Sequence, residues 1–265
     1  MSLLNGNVLI TGASGGIGQA IARAFASRGA RLLLTGRRLE VLEPLAEEVS
    51  GNVVACDLSR REDVDRLIAA ARAAATDVLI ANAGLPASGL LTELTQDQID
   101  RMLEINLRAP IALARALAPA MIERGHGHMV FISSLSGKVA PPASSIYSAT
   151  KFGLRGFALA AREDLRARGV GVSVVMPGFI RDAGMFADSQ AELPRGVGTR
   201  TPEDVANGVI SAIERNRAEV EIAPAFLRFG ASFGALAPEI AAAVSRRFGG
   251  ERVASDIEAG QRDKR

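Results

Sequence analysis

No tryptophan occurs in this chain of 265 residues, and tyrosine, cysteine and histidine are nearly missing as well, with one, one and two copies. A lone cysteine, Cys56, excludes an internal disulfide. It sits in the apolar run Val53 to Cys56 and reads as a small core residue in a protein of a reducing compartment. The two histidines, His126 and His128, flank Gly127 with no further ligand cluster, so they read as a turn before a strand and no metal site is expected. A long block of one charge is also missing. The 31 Lys and Arg are spread among 29 Asp and Glu for a net charge of +2, which speaks against nucleic acid as a partner. No fixed-period repeat or low-complexity tract is found. The chain does not open with a basic start, an apolar stretch and a cleavage site, so a cytoplasmic location is expected. The apolar stretch Ala225 to Val244 is interrupted by Arg228, Pro238 and Glu239, and no transmembrane segment is expected.

What is present is a regular alternation. Short runs rich in Val, Ile and Leu recur at Val8 to Ile10, Arg31 to Thr35, Val53 to Cys56, Val78 to Ala81, Met129 to Ile132, Val172 to Met176 and Val220 to Ile222. Between them, Ile17 to Arg28, Leu39 to Val49, Arg61 to Ala75, Gln96 to Arg124, Tyr147 to Arg168 and Pro202 to Asn216 carry apolar residues at helical spacing. Strands without polar alternation are buried on both faces, and helix-length crossovers imply parallel pairing. The expected fold is α/β: a doubly wound, Rossmann-type parallel sheet of seven strands with helices on both faces. Residues 1–223 would form the dinucleotide-binding and catalytic domain, and residues 224–265 a helical extension of the same domain.

In such sheets ligands bind beyond the carboxyl ends of the strands. The small and turn-forming residues of this chain lie directly after the strands: Thr11 to Gly18, Gly36-Arg37-Arg38, Asp57-Leu58, Asn82-Ala83-Gly84, Ser133-Ser134 and Pro177-Gly178. In the first loop Gly12, Gly16 and Gly18, with Ser14, Gly15 and Ile17 between them, aim amides at an anion at a helix N-terminus, a fit for a pyrophosphate. A loop preferring NAD would offer an acidic residue about 20 positions on. Gly36 stands at the strand end instead, beside Arg37 and Arg38, whose guanidinium groups suit a 2′-phosphate, so NADP(H) is expected over NAD(H).

The single tyrosine, Tyr147, stands four residues before Lys151 and thirteen after Ser134. On a helix, positions i and i+4 share a face, so the lysine ammonium lies within reach of the phenol and favours its ionised form. That pairing is what a general acid or base needs. With Thr-Gly-x-x-x-Gly-x-Gly, Asn-Ala-Gly, the Ser134 to Tyr147 interval and Tyr-x-x-x-Lys in order over residues 7 to about 222, the chain resembles the short-chain dehydrogenase/reductase family. The resemblance implies an oxidoreductase that exchanges a hydride between NADP(H) and a carbonyl or secondary alcohol. It implies that Tyr147 is the acid/base, that Ser134 bonds the substrate oxygen, that Lys151 binds the nicotinamide ribose and lowers the Tyr147 pKa, and that Asn106 completes the catalytic group. It also implies that Asp57 and Leu58 lie by adenine, that Asn82, Ala83 and Gly84 lie by the adenosine and ribose, and that Pro177, Gly178 and Ile180 lie by the nicotinamide.

Several features stand beside the resemblance. Pro110 lacks the N–H that would bond the carbonyl of residue 106. The result is either an ordinary kink or a freed carbonyl holding a water that links Lys151 to solvent. Asp182 stands where the family places a threonine, and it either accepts from the nicotinamide carboxamide or points to solvent. The segment Phe179 to Arg200, with Gly184, Pro194, Gly196 and Gly198, resembles the family's substrate lid, and Met185 and Phe186 either line the substrate pocket or pack in the interior. The apolar tail covers the pocket, packs on a second copy or meets a membrane surface, while Glu251 to Arg265 is expected to fray. Long apolar faces on two helices resemble the family's subunit contacts and give a homodimer or homotetramer as the expectation. The competing reading is a nucleotide-binding sensor or scaffold that keeps the fold without turnover.

Overall fold

The computed structural model describes residues 2–86, 89–189, 191, 193, 197–247, 256–257 and 259–261. Seven strands, β1 (Asn7–Thr11), β2 (Arg31–Gly36), β3 (Asn52–Ala55), β4 (Val78–Ala81), β5 (Gly127–Ile132), β6 (Val170–Pro177) and β7 (Glu219–Ile222), form one sheet in the order β3-β2-β1-β4-β5-β6-β7. Every pairing is parallel, as the unbroken apolar runs require, and residues Val8 to Ile10, Val78 to Ala81 and Gly127 to Ile132 are all buried. The strand order reverses between β1 and β4, and this opens a crevice at their carboxyl ends.

Helices cover both faces. On one face α1 (Gly16–Ala26), α2 (Leu39–Val49) and α8 (Pro202–Glu214) pack Ile21, Phe25, Leu42, Val205 and Val209 against Ile10, Leu34 and Ile80. On the other, α3 (Arg61–Ala73), α4 (Gln96–Leu103), α5 (Ala109–Arg124) and α6 (Ser145–Arg166) pack Leu67, Met102, Leu113, Met121 and Leu154 against Leu9, Leu79 and Phe131. Cys56 lies in this second core, where burial pushes its thiol up to about 11 and leaves it a poor nucleophile. The start of α8 follows directly from sequence. Thr201 and Asp204 form a reciprocal capping box, and Pro202 occupies the first turn, where no N–H is needed.

The stretch 96–124 departs from the uniform helix expected of it. Between α4 and α5 the residues Glu104–Arg108 take a π turn, in which the Ala109 amide reaches back to the Glu104 carbonyl. An extra residue per turn is the helix's way of carrying a proline at 110. By length and apolarity alone this stretch would cross a membrane, but its inner side is core, with Met102, Leu113, Leu117 and Met121 nearly inaccessible. After β6 come a short helix, α7 (Gly184–Ser189), and after β7 two further helices, α9 (Ala225–Leu236) and α10 (Pro238–Arg247). Helix α9 packs on α10 and leaves Phe226, Phe229 and Leu236 exposed. Pro194, Gly196 and most of Glu251 to Arg265 lie outside the described residues.

His128 is not in a turn. Strand β5 begins two residues earlier than the apolar run indicates and carries the imidazole into the interior. Ser173 donates its one hydroxyl proton to the Arg217 carbonyl at 2.5 Å, so His128 Nε2, 2.8 Å from Ser173 Oγ, must be the donor in that pair. The ring therefore carries a proton at Nε2. Burial first, and Arg162 second, push its pKa down to about 4. The unfolded chain binds this proton near pH 6.5, so the contribution to stability is complete above that value and is lost as the pH falls towards 4. Acid unfolding should show roughly 3 kcal/mol lost from this group across that window. Urea titrations from pH 7 to pH 4 should give a visibly shallower pH slope for His128→Gln than for the parent, and identical slopes would rule the imidazole out as the cause.

Candidate active site

Strand β1 ends in Thr11, and the chain turns at once through Gly12, which takes φ +65° and comes so close to β4 that a Cβ would lie 2.7 Å from the Ala83 Cα. A Cβ on Gly18 would lie 2.3 Å from the Gly12 carbonyl oxygen. Both positions need glycine for close approach of backbone to backbone. Four hydrogen bonds fix the turn. The amides of Asn82 and Ala83 each donate to Thr11 Oγ1 at 3.1 Å, and Asn82 Nδ2 donates to the carbonyls of Thr11 and Gly12 at 3.0 and 3.1 Å. Asn82 and Ala83, expected to touch a cofactor, thus also brace the loop that would hold it, and Gly84 follows on the same rim. Thr11, which sequence reasoning had only as part of a motif, is the hinge pin of this arrangement.

Helix α1 starts from this turn with Gly15 as its N-cap, which offers no side-chain acceptor, and with no acidic residue in its first turn. A helix N-terminus left without a cap, lined by Gly16, Ile17 and Gly18, fits an anion such as a pyrophosphate. At the neighbouring strand end Gly36 faces Ser14, whose hydroxyl would lie 3.1 Å from a Cβ placed there. Arg38 donates to the Ser14 carbonyl at 2.7 Å, and Arg37 is exposed beside it. Past β3, burial pushes the Asp57 carboxyl up, but the Ser59 amide and hydroxyl and the nearby Arg37 and Arg101 outweigh this and hold it below the usual range. Leu58 is buried against the wall. The rim of β1, β2 and β3 therefore gathers backbone amides, carboxylates and arginines.

The rim of β4, β5 and β6 gathers the proton-handling groups. Helix α6 begins at Ser145, two residues before the tyrosine, so Tyr147 and Lys151 lie in its first two turns. The lysine amine is buried. It donates to the Ile132 carbonyl at 2.9 Å and lies 5.6 Å from the centre of the Tyr147 ring. Ser134, the residue after Ser133 at the end of β5, faces the Tyr147 hydroxyl closely enough to pull against the upward shift of the phenol, and its own oxygen accepts from the Ser136 amide at 3.1 Å. Asn106 comes in from the π turn, fully buried. Its Oδ1 accepts from the Leu85 amide at 2.7 Å, while its Nδ2 donates to the Leu85 carbonyl at 3.0 Å and to Thr150 at 3.4 Å. Gly84 lies between Asn106 and Lys151: a Cβ there would be 3.4 Å from Asn106 Oδ1 and 3.6 Å from Lys151 Nζ. All four expected residues, Asn106, Ser134, Tyr147 and Lys151, meet in one place.

The electrostatics differ from the expectation. Burial pushes the Tyr147 phenol up to about 12, with the Ser134 hydrogen bond pulling the other way, and burial pushes the Lys151 amine down to about 8. Sequence spacing brings the two side chains near each other. The low polarity of the site outweighs what the ammonium does for the phenolate.

Pro177 ends β6, and the Gly178 amide donates to the Ile222 carbonyl at 3.0 Å. Ile180 is buried and bridges to Arg200. Asp182 takes φ +69° and turns outward to Arg181 at 3.4 Å, largely exposed, so its carboxylate faces solvent rather than the crevice. Met185 and Phe186 lie on α7, half-buried, with the Phe186 ring 5.2 Å from that of Phe179. The described residues hold no group of three or more His, Cys, Asp or Glu placed to share a metal ion.

This arrangement has counterparts. A family model described as short chain dehydrogenase matches residues 6–194. The chain is 37% identical over 228 residues to a protein named ketoacyl reductase HetN from Nostoc sp., which covers 83% of this chain and 79% of that one. Among solved structures, a short-chain dehydrogenase from Sphingobium yanoikuyae in complex with NADPH superposes with a TM-score of 0.77 at 28% identity, covering 88% of this chain and 94% of the other. A metagenomic short-chain oxidoreductase in complex with NADP is 35% identical with a TM-score of 0.68, covering 83% and 97%.

The Asn106 amide is fully buried and satisfies both backbone groups of Leu85. Asn106→Leu leaves a buried N–H and a buried carbonyl without partners, each costing about 1–3 kcal/mol. Chemical denaturation should show a loss within that range or above it, and a loss under about 0.5 kcal/mol would mean that the amide does not hold Leu85 in place.

Proposed function

As the chain belongs to the short-chain dehydrogenase family of oxidoreductases, we propose that it interconverts a small-molecule carbonyl and the corresponding secondary alcohol with NADP(H), Tyr147 being the general acid and base. One observation carries this reading: Ser134, Tyr147, Lys151 and Asn106 converge at the carboxyl ends of β4 and β5, beside an uncapped glycine turn at the head of α1. Gly12 to Gly18 would hold the pyrophosphate, Arg37 and Arg38 with Ser14 the 2′-phosphate, Asp57 and Leu58 the adenine, Lys151 with Asn82, Ala83 and Gly84 the ribose portions, and Pro177, Gly178 and Ile180 the nicotinamide. Bound there, the nicotinamide supplies the hydride in reduction and takes it in oxidation.

The residues of the chain do the rest. Ser134 and Tyr147 donate hydrogen bonds to the substrate oxygen and stabilise the negative charge that develops on it. A phenol held near 12 stays protonated throughout the physiological range, so Tyr147 is loaded as an acid before a carbonyl binds. Lys151, with its amine held near 8, is mostly cationic at neutral pH and loses that charge just above it. The π turn at Glu104–Arg108 keeps the Asn106 side chain on the Leu85 backbone, and a carbonyl freed by Pro110 would give a water its place on a path from Lys151 to solvent. Met185 and Phe186 on α7 would give the substrate an apolar wall.

Tyr147→Phe should retain NADPH binding, measured by the fluorescence of the bound nucleotide, and lose turnover of a carbonyl panel by about 1,000-fold or more. A variant within 10-fold of the parent would refute the assignment. Reduction by the parent should be level through neutral pH and decline above about pH 8 as Lys151 loses its proton, while Lys151→Arg removes that decline in whatever activity it keeps. The double substitution of Arg37 and Arg38 by Ala should raise the KM for NADPH about 10-fold or more and leave that for NADH nearly unchanged, and an equal rise for both nucleotides would speak against a 2′-phosphate site.

A further inference from the structure

Gly260 and Gln261, beyond α10 in the chain, lie on α7. Gly260 packs so tightly there that a Cβ would lie 2.5 Å from the Ser189 Cα and 2.6 Å from the Ser189 carbonyl oxygen, an approach of backbone to backbone open to glycine alone. The next side chain, Gln261, is fully buried and donates from Nε2 to the Met185 carbonyl at 2.7 Å. Ser189 is itself buried and closes α7 by donating to the Phe186 carbonyl at 2.7 Å. Tail and short helix thus meet through a close-packed glycine at one end of α7 and a buried amide at the other.

The start of α7 and the residue before it meet the glycine turn. A Cβ on Gly16 would lie 2.4 Å from the Ala183 Cβ, and one on Gly184 would lie 3.7 Å from Ile17 Cδ1. Ala183 is flanked by two residues in the left-handed region, Asp182 at φ +69° and Gly184 at φ +80°. For Asp182 that conformation is one the surrounding structure has to impose. Residues 182–184 are therefore a short strained link from β6 to α7, the kind of segment that absorbs a change of backbone angle when an element swings. Seen in order, the head of α1, the strained link, α7 and the tail form one continuous stack.

We infer that Gly260 and Gln261 are positioning residues: they strap α7 down over the glycine turn, and so set how long the dinucleotide stays and how well the substrate is held. The inference rests on the proposed function for what lies beneath α7. Six residues make too short a helix to hold its place by its own hydrogen bonds, so its position has to come from what packs on it. At its start that is the glycine turn, reached through Ala183 and Gly184, and from Met185 to Ser189 it is the tail. Releasing the tail leaves α7 tethered through the 182–184 link, free to lift from the site while Tyr147, Lys151 and Ser134 stay where α6 and β5 put them.

Two variants of the full-length chain test this. Gly260→Val drives a side chain into the Ser189 backbone, and Gln261→Ala removes the buried amide together with the packing of its side chain. Hydrogen exchange of the 185–189 amides, measured without nucleotide, should quicken about 10-fold in Gly260→Val and less in Gln261→Ala, with exchange in β5 and α6 unchanged. Stopped-flow release of NADPH should quicken by a similar factor, and the KM for the carbonyl substrate should rise several-fold with kcat within about 3-fold of the parent. Unchanged exchange in α7 for both variants overturns the inference, as does faster exchange in α7 with NADPH release and KM unmoved. Exchange needs no turnover, so a parent that reduces no carbonyl would count against the proposed function alone, while the strap would still be judged on α7.

Discussion

A buried amine organises this site. Taking an ammonium out of water is costly unless the protein returns hydrogen bonds to it. Lys151 meets that cost in part by donating to the Ile132 carbonyl, the last residue of β5, and in part by giving up proton affinity. The backbone of the same residue is gripped as well. Ser133 donates to the Lys151 carbonyl at 3.0 Å, and Gly137 packs so close to that carbonyl that a Cβ would lie 2.9 Å from its oxygen. The end of β5, the turn after it and the first turns of α6 are thereby one rigid piece. Ser134 and Tyr147 sit at its two edges.

A set of charges around β7 reinforces that piece from outside. Glu219 and Glu221 alternate with Val220 and Ile222, so the strand turns its two carboxylates to one face of the sheet and its two aliphatic side chains to the other, where they join the core beneath α8. Lys138, four residues past Ser134, reaches Glu221 at 2.5 Å and Glu219 at 3.1 Å. Arg155, one turn past Lys151, pairs with Glu219, and Arg228 of α9 reaches Glu221 at 3.3 Å. Burial works against the charge on Lys138 and on Glu219, but the pairing outweighs it, raising the lysine and lowering the carboxylate. Isolated surface pairs contribute little, whereas a partly buried network has a fixed geometry to defend. This one ties the loop after Ser134, the helix of Tyr147 and the tail to the sheet edge.

The parts of this structure that were legible in sequence are those governed by local pattern. Val78 to Ala81 and Met129 to Ile132 are apolar without alternation because both faces of a parallel sheet are covered, and that alone implies the layered fold. The placement of Gly12, Gly18 and Ser134 was legible because turns after strands must collect small residues. What stayed hidden depends on contacts between distant segments. Nothing in the sequence around His128 distinguishes a turn from a buried strand, since its partner Ser173 is 45 positions away. The π turn was half visible, because Pro110 marks a disturbed helix but not the register that the helix adopts. Helix α7 is too short to show periodicity, and the meeting of Gly260 with Ser189 leaves no mark in either segment taken alone. Thr11 was legible only as part of a pattern, since its role comes from β4 bringing two amides to its hydroxyl.

The phenol shows most clearly where local reasoning ends. Spacing of i and i+4 correctly brings Lys151 to the Tyr147 ring, and from that alone the tyrosine should become more acidic. In the folded chain the same burial acts on both groups, and it disfavours the charged form of each. The phenol therefore rises while the amine falls, and at neutral pH the pair rests as neutral phenol beside cationic amine. Such a pair has a proton to give and a charge nearby to steady the oxygen that has given it. For the proposed reduction this is the useful resting state, since the acid is loaded before substrate arrives. Taking a proton from an alcohol would first require an ionised phenol, which the burial of Tyr147 opposes.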